Sequence, residues 1–192
     1  MATLTDRQRQ IVDRAIELIG SHGLSALTMR RLSEALGVTE PALYRHFENK
    51  SAILDAMLLV LEAETYDKLP LEEDATPKAL VSHFERLFAL IVERPALATV
   101  VLADELAAGD EQILVRVRQL LAKNRSRLVG VLRTLARQSA RNVDAESLAT
   151  LLLGGVRLLV REWQLDGCSW DLVGRGRRLV GALTKQIAKN DG

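Results

Sequence analysis

The stretch Thr28-Met-Arg-Arg-Leu-Ser-Glu-Ala-Leu-Gly-Val-Thr-Glu-Pro-Ala-Leu-Tyr-Arg-His-Phe-Glu-Asn-Lys50 decides how this chain is read. Met29, Leu32 and Leu36 recur at three-and-four spacing and predict a short amphipathic helix over residues 29–36, capped by Thr28. Gly37-Val38 ends that helix in a tight turn. Thr39 caps a second helix, and Pro41 falls in its first turn, where a missing N–H is tolerated. Leu43 and Phe47, four apart, face inward and leave Thr39, Glu40, Ala42, Tyr44, Arg45 and His46 around the outer faces. Two short helices about a tight turn, the second polar on its outside, make a helix-turn-helix layout, and such a second helix suits the DNA major groove.

Working outward, Thr5 or Asp6 opens a first helix that ends at His22-Gly23, with glycine taken as its left-handed stop. Ile11, Val12, Ala15, Ile16, Leu18 and Ile19 give it one buried stripe. A fourth helix starts after Asn49-Lys50-Ser51, carries Ile53, Leu54, Met57, Leu58 and Leu61, and runs to about Asp67. Residues 68–76 read as a linker. Thr76-Pro77 then opens a fifth helix to Arg94, and Pro95 a sixth to about Ala108. Gly109-Asp110 breaks the chain before a long helix at 111–140, and further helices follow at 145–166, capped by Asp144, and at 171–189. The expectation is an all-α, nine-helix fold in two parts. Residues 1–55 form a three-helix, helix-turn-helix DNA-binding domain, and residues 56–192 a helical effector-binding and dimerisation domain.

The totals agree with that class. Hydrophobic residues make up 48% of the 192, too many for a disordered chain, and the aromatic share of 4% favours Leu- and Ala-rich helices over a sheet sandwich. The single cysteine, Cys168, excludes an internal disulfide framework and suits a reducing compartment. The first residues, Met-Ala-Thr-Leu-Thr-Asp-Arg, lack an apolar signal core, and no run of ~18 apolar residues is present. A cytoplasmic, nucleoid-associated protein with no membrane partner is expected. Net charge is only +1, and residues 1–55 hold seven Lys/Arg against seven Asp/Glu. A DNA footprint must therefore come from local placement of Arg30, Arg31, Arg45, His46 and Lys50.

Thr39 and Ala42 suit a thymine methyl, and Arg45 suits guanine. Tyr44, His46, Lys50 and the helix start at Thr28 suit phosphate oxygens. Glu40 repels phosphate unless it accepts from a cytosine amine or pairs with Arg45. No nucleophile–base pair, catalytic carboxylate pair or phosphate-cradling glycine loop is visible, so an enzyme is not expected. His22, His46 and His83 are too scattered for a metal site, and no cofactor is expected. Asp104, Glu105, Asp110 and Glu111, like Arg116, Arg118, Lys123, Arg125 and Arg127, read as solvated faces. Cys168 beside Trp170 reads as a lone, non-functional thiol.

Residues 7–58 resemble the amino-terminal domain of TetR-type transcriptional regulators. The resemblance rests on Ala15 to Gly23, Leu27-Thr28-Met29-Arg30, Ala35-Leu36-Gly37-Val38-Thr39, Ala42-Leu43-Tyr44-Arg45-His46-Phe47, and Lys50 with Leu54. It implies that Thr28, Thr39, Ala42, Tyr44, His46 and Lys50 occupy DNA-contacting positions; the reading of the residues adds Arg30, Glu40 and Arg45. The two-part helical layout adds the expectation of a repressor released from a palindromic operator by a small-molecule effector. The Ala42-to-Phe47 string and Glu93-Arg94-Pro95-Ala96-Leu97 carry an alternative, a structural DNA-binding adaptor of the nucleoid-occlusion type with a protein partner.

A helix-turn-helix needs two half-sites, hence two copies. Helix 145–166 is apolar nearly all round, and the last helix carries a second stripe. Leu152, Val156, Leu159, Trp163, Leu172, Leu179 and Leu183 are therefore expected to form a homodimer interface. Phe84, Phe88, Leu102, Leu106, Leu121 and Trp163 are the candidates for lining an effector pocket.

Overall fold

Side-chain caps punctuate the chain. Thr5 and Gln8 form a reciprocal capping box at the start of α1 (Asp6–His22). Thr28 Oγ1 accepts the Arg31 amide to open α2 (Met29–Leu36), and Asn49 accepts the Ala52 amide to open α4 (Lys50–Leu61). Thr76 does the same for α5 (Pro77–Glu93), Asp110 for α7 (Glu111–Gln138) and Asp144 for α8 (Ala145–Leu165). The remaining helices are α3 (Glu40–Tyr44), α6 (Pro95–Leu102) and α9 (Leu172–Ala188). In this computed structural model residues 4–67, 75–102, 110–140 and 143–188 are described, and among them there is no strand. The all-α architecture is the expected one.

Three local features differ from expectation. The fourth helix does not stay α-helical to residue 67, because Glu62–Asp67 form a π-helical turn. Gly23 has a positive φ of 78°, but its ψ of 170° puts it in a region that only glycine enters readily, not in the left-handed helical well. Thr39 starts α3 with extended backbone yet makes no side-chain cap bond. The expected end of the sixth helix, at residues 103–108, and most of the linker, residues 68–74, lie outside the described residues.

By packing, the chain divides into two compact units, one of Met1–Glu64 with Arg94–Leu120, the other of Thr65–Glu93 with Leu121–Gly192. Residue 55, where the sequence led us to expect a division, lies inside α4, and the packing boundary falls after Glu64 instead. In the first unit α1 is central and packs against α2, α4 and α6. Its Ile11, Val12, Ala15, Ile16 and Ile19 are buried, as are Leu32, Leu43, Phe47, Ile53 and Met57. Each large aliphatic side chain so buried contributes about 1.5–3 kcal/mol. Gly20 lets α1 approach α6 closely, since a Cβ there would lie 2.5 Å from Ala96 Cβ.

In the second unit α9 packs along α5 and also against α8. Phe88 is fully buried, and its ring occupies the space that a side chain at Gly176 would need. Gly176→Ala is therefore expected to destabilise the protein by about 1–3 kcal/mol. Gly130→Ala, on α7 with nothing near its missing Cβ, is expected to stabilise it by about 0.5–1 kcal/mol. Thermal or urea denaturation of the two variants beside the parent checks both signs.

Candidate nucleic-acid interface

The turn between α2 and α3 is built from backbone. Gly37 takes the left-handed conformation (φ 67°, ψ 32°), and its N–H bonds back to the carbonyls of Ser33 and Glu34. The Val38 N–H reaches Ser33 O at 3.0 Å, which closes a Schellman stop. Thr39 is extended, and its carbonyl accepts from Ala42 and Leu43. The His46 and Phe47 amides then bond to Leu43 O, so the helical path continues one turn past Tyr44.

This path sorts the side chains. Leu43 and Phe47 are buried. Thr39, Arg45 and His46 are exposed, Tyr44 is 48% exposed, and Glu40 and Ala42 are half-buried. Thr28 is exposed at the start of α2, and Lys50, the first residue of α4, is half-buried. The nine residues expected to meet DNA thus lie along one run of chain, with hydroxyl, amide, imidazole and guanidinium groups available at its surface.

Charge refines their roles. Arg30 Nε donates to Glu34 Oε1 at 3.0 Å. That bond, the Glu34 charge and the Glu40 charge together hold the Arg30 pKa above the ordinary arginine value. Glu40 therefore acts on Arg30. Arg45 makes no ion pair among the described residues, which leaves its guanidinium available to a base or a phosphate.

Two links not visible in the sequence brace this surface from α1. Gln8 Nε2 donates to the carbonyl of His46 at 3.2 Å, and Arg14 Nε donates to the carbonyl of Ala35 at 3.2 Å. Both bonds span more than twenty residues and involve a backbone acceptor, so no sequence spacing announces them.

The other candidate sites fare differently. Phe84, Phe88 and Trp163 are buried, with Phe84 and Phe88 ring centroids 6.4 Å apart and Trp163 Nε1 donating to Trp170 O at 3.0 Å. Leu121 is exposed, the side chain of Leu102 and all of Leu106 lie outside what is described, and so do Asp104 and Glu105. Asp110 is a helix cap held below the usual carboxylate range by the Ser51 hydroxyl and the Ile113 amide. Arg116 pairs with Glu62 and Asp55, and Arg125 with Glu146. Burial pushes the Cys168 thiol up, the direction opposite to that of a reactive thiolate. An open cleft of about 540 Å³ is lined by Val81, Arg177, Arg178, Gly181, Ala182, Lys185 and Gln186, none of them an expected pocket residue.

Of the expected interface residues, Leu152, Val156, Trp163 and Leu172 are buried within the chain itself, and Leu159, Leu179 and Leu183 are half-buried. The outward leucines of α8 are Leu151, Leu158 and Leu165, at 66%, 60% and 71% exposure. Leu151 and Leu158 each precede an expected interface residue by one position, and a helix apolar all round does not reveal in its sequence which side is already covered.

Residues 11–57 match the family model for bacterial regulatory proteins of the tetR family. The tetracycline repressor protein class C of Escherichia coli is 57% identical over 51 residues, 26% of this chain and 23% of that one. The nucleoid occlusion factor SlmA of Shewanella baltica (strain OS155) is 27% identical over 153 residues, 77% of this chain and 78% of that protein. The fold is that of the fatty acid degradation regulator FadR from Bacillus halodurans, with a TM-score of 0.81, 18% identity, and coverage of 95% of this chain and 97% of that one.

The side-chain bonds separate two threonines that look alike in sequence. Thr28→Ala removes a cap and is expected to cost about 1 kcal/mol of stability. Thr39→Ala removes no such bond and is expected to stay within about 0.5 kcal/mol of the parent. Chemical denaturation of the two single variants measures the difference.

Proposed function

We propose, for a chain that belongs to the tetR family of bacterial regulatory proteins, that it is a transcriptional repressor working as a homodimer on a palindromic operator. Residues 1–55 read the DNA, and residues 56–192 join two copies and bind a small-molecule effector that releases the operator. The work is done in the cytoplasm, on the nucleoid. The observation that carries this reading is the surface of α3. The five residues of α3 and those that flank them put Thr39, Tyr44, Arg45 and His46 into solvent over a buried Leu43 and Phe47. A segment so short and so outward-facing suits a groove, with Arg45 on a base edge, Thr39 and Ala42 beside a thymine methyl, and Thr28, Tyr44, His46 and Lys50 on phosphates. Glu40 and Arg30 modulate the local charge.

Two recognition helices must sit about 34–36 Å apart to meet successive major grooves, which requires a second copy. The leucine row Leu151, Leu158 and Leu165 supports α8 as the joining face, with Gly154 between the first two leaving room for close approach. An effector acts only if it binds the released state more tightly than the DNA-bound one. The cleft at Arg177, Arg178 and Lys185 favours an acidic effector.

The likeness to the nucleoid occlusion factor, which extends over 77% of the chain, favours a second reading, a structural DNA-binding adaptor with a protein partner. Genome-wide binding separates the two. One or a few promoters mean a repressor, and dozens of scattered sites mean an adaptor.

Arg45→Ala is expected to cost about 1–3 kcal/mol of specific binding and to relax preference at one base pair. Lys50→Ala is expected to weaken binding to all duplexes alike and to lower the salt slope by about one. Fluorescence anisotropy at several salt concentrations checks both, and a uniform loss for Arg45→Ala would remove it from base reading. Leu158→Glu is expected to shift the chain to monomers in analytical ultracentrifugation, and an unchanged dimer would move the interface off α8.

A further inference from the structure

Glu64 lies in the π-helical turn that follows α4, and its side chain is only 8% exposed. A carboxylate so buried is costly unless it is paired. Both its oxygens are paired. Arg9 Nη2 donates to Oε1, and Arg94 Nη1 donates to Oε2 at 2.5 Å. The same two arginines also share Asp13, since Arg94 Nη2 donates to Oδ1 at 2.9 Å and Arg9 Nε to Oδ2 at 3.3 Å. Arg9, Asp13, Arg94 and Glu64 thus form a closed ring of alternating charge. Two members stand on α1, one at the junction of α5 and α6, and one in the π turn. Burial opposes the charge of Arg94, but the carboxylates of Glu64 and Asp13 outweigh it and raise its pKa.

The ring adjoins the recognition surface. Gln8 precedes Arg9 and donates to the carbonyl of His46, at the end of the segment that carries Tyr44 and Arg45. Gln8 Oε1 accepts the Thr5 amide at 3.0 Å, so this side chain is itself held in place. The first half of α1 therefore carries the brace to the end of the recognition segment on Gln8 and two members of the ionic ring on Arg9 and Asp13. The π turn has a second anchor, Glu62, which bonds to Arg116 Nη2 at 3.1 Å. Single π turns inside helices are frequent at functional sites, where an added residue of register re-aims a side chain.

We propose that Glu64 is a positioning residue for DNA recognition: through the ring it fixes the start of α1, and through Gln8 it fixes the end of the recognition helix. The inference rests on the DNA-binding reading above. Glu64 touches no DNA, so its loss leaves phosphate contacts intact and degrades only the fit of base-reading side chains. A segment change that withdraws Glu64 from Arg9 loosens the same fit, which gives the π turn control over specificity.

The test uses two labelled duplexes, one enriched from a random-sequence pool by the parent chain and one scrambled duplex of equal length. Glu64→Gln, Gln8→Ala and the double variant are compared below their melting temperatures. Glu64→Gln is expected to weaken binding to the enriched duplex about tenfold and to the scrambled one by less than about twofold, with the salt slope unchanged. Gln8→Ala is expected to do the same, and the double variant to lose little more than either single change, as members of one chain of contacts do. Equal losses on both duplexes, no loss on either, or additive losses would each overturn the inference. Where Glu64→Gln does not fold, Arg94→Lys, which keeps the charge but not the two-pronged geometry, takes its place under the same criteria. A parent chain that enriches no sequence overturns the DNA-binding reading and this inference together, whereas enrichment followed by one of those three outcomes overturns the inference alone.

Discussion

A helix of five residues cannot hold its own shape. Forming one turn fixes several dihedral angles for a single hydrogen bond, and helices shorter than about 12 residues are marginal in water even with favourable sequences. Glu40–Tyr44 therefore owes its conformation to its surroundings. Leu43 and Phe47 anchor it in the apolar interior of the first unit, the Schellman stop at Gly37 sets its entry, and Gln8 holds the carbonyl at its exit. α1 makes this possible, because its apolar stripe gives α2 a surface to pack on, α3 packs on α2 in turn, and Gln8 and Arg14 on α1 supply the polar braces.

Charge over residues 1–55 is balanced, with seven basic and seven acidic residues, while residues 121–192 hold thirteen Lys/Arg against six Asp/Glu. Pairing narrows the field further, since Arg9, Arg14 and Arg30 are each tied to a carboxylate. Arg7, Arg31, Arg45 and Lys50 are left outside such pairs among the described residues. Such an arrangement keeps the non-specific, salt-driven component of binding small and throws the weight onto fit. Accurate placement of a few side chains matters more here than in a strongly basic binder.

The sequence carried the architecture well. Caps at Thr5, Thr28, Thr76 and Asp144, the prolines at 41, 77 and 95, and the glycine stop at 37 all act over four residues or fewer, and local rules are read from local spacing. The inside-outside sorting of α3 was legible for the same reason. What escaped was tertiary. Glu64 meets residues 55 positions before it and 30 after it, and a charged residue in an amphipathic pattern looks solvated until its partners are known. The outward side of α8 escaped because nearly every position is apolar, so the pattern has no phase. Thr39 looked like a cap and is not one, since propensity names the residue type and not the bond it makes. That Phe84, Phe88 and Trp163 are closely packed follows from the same limit: an aromatic at helical spacing has the same signature in a core as in a pocket wall.

Leu151, Leu158 and Leu165 repeat every seven residues along a helix that turns every 3.6. Seven residues fall short of two whole turns, so the row slips around the helix by about 20° with each repeat. Over its length the row winds as a shallow spiral, not a straight seam. In the proposed dimer, two copies that kept all three leucines in touch would lean across one another and coil with a left-handed sense, and that would set their tilt before any DNA is present.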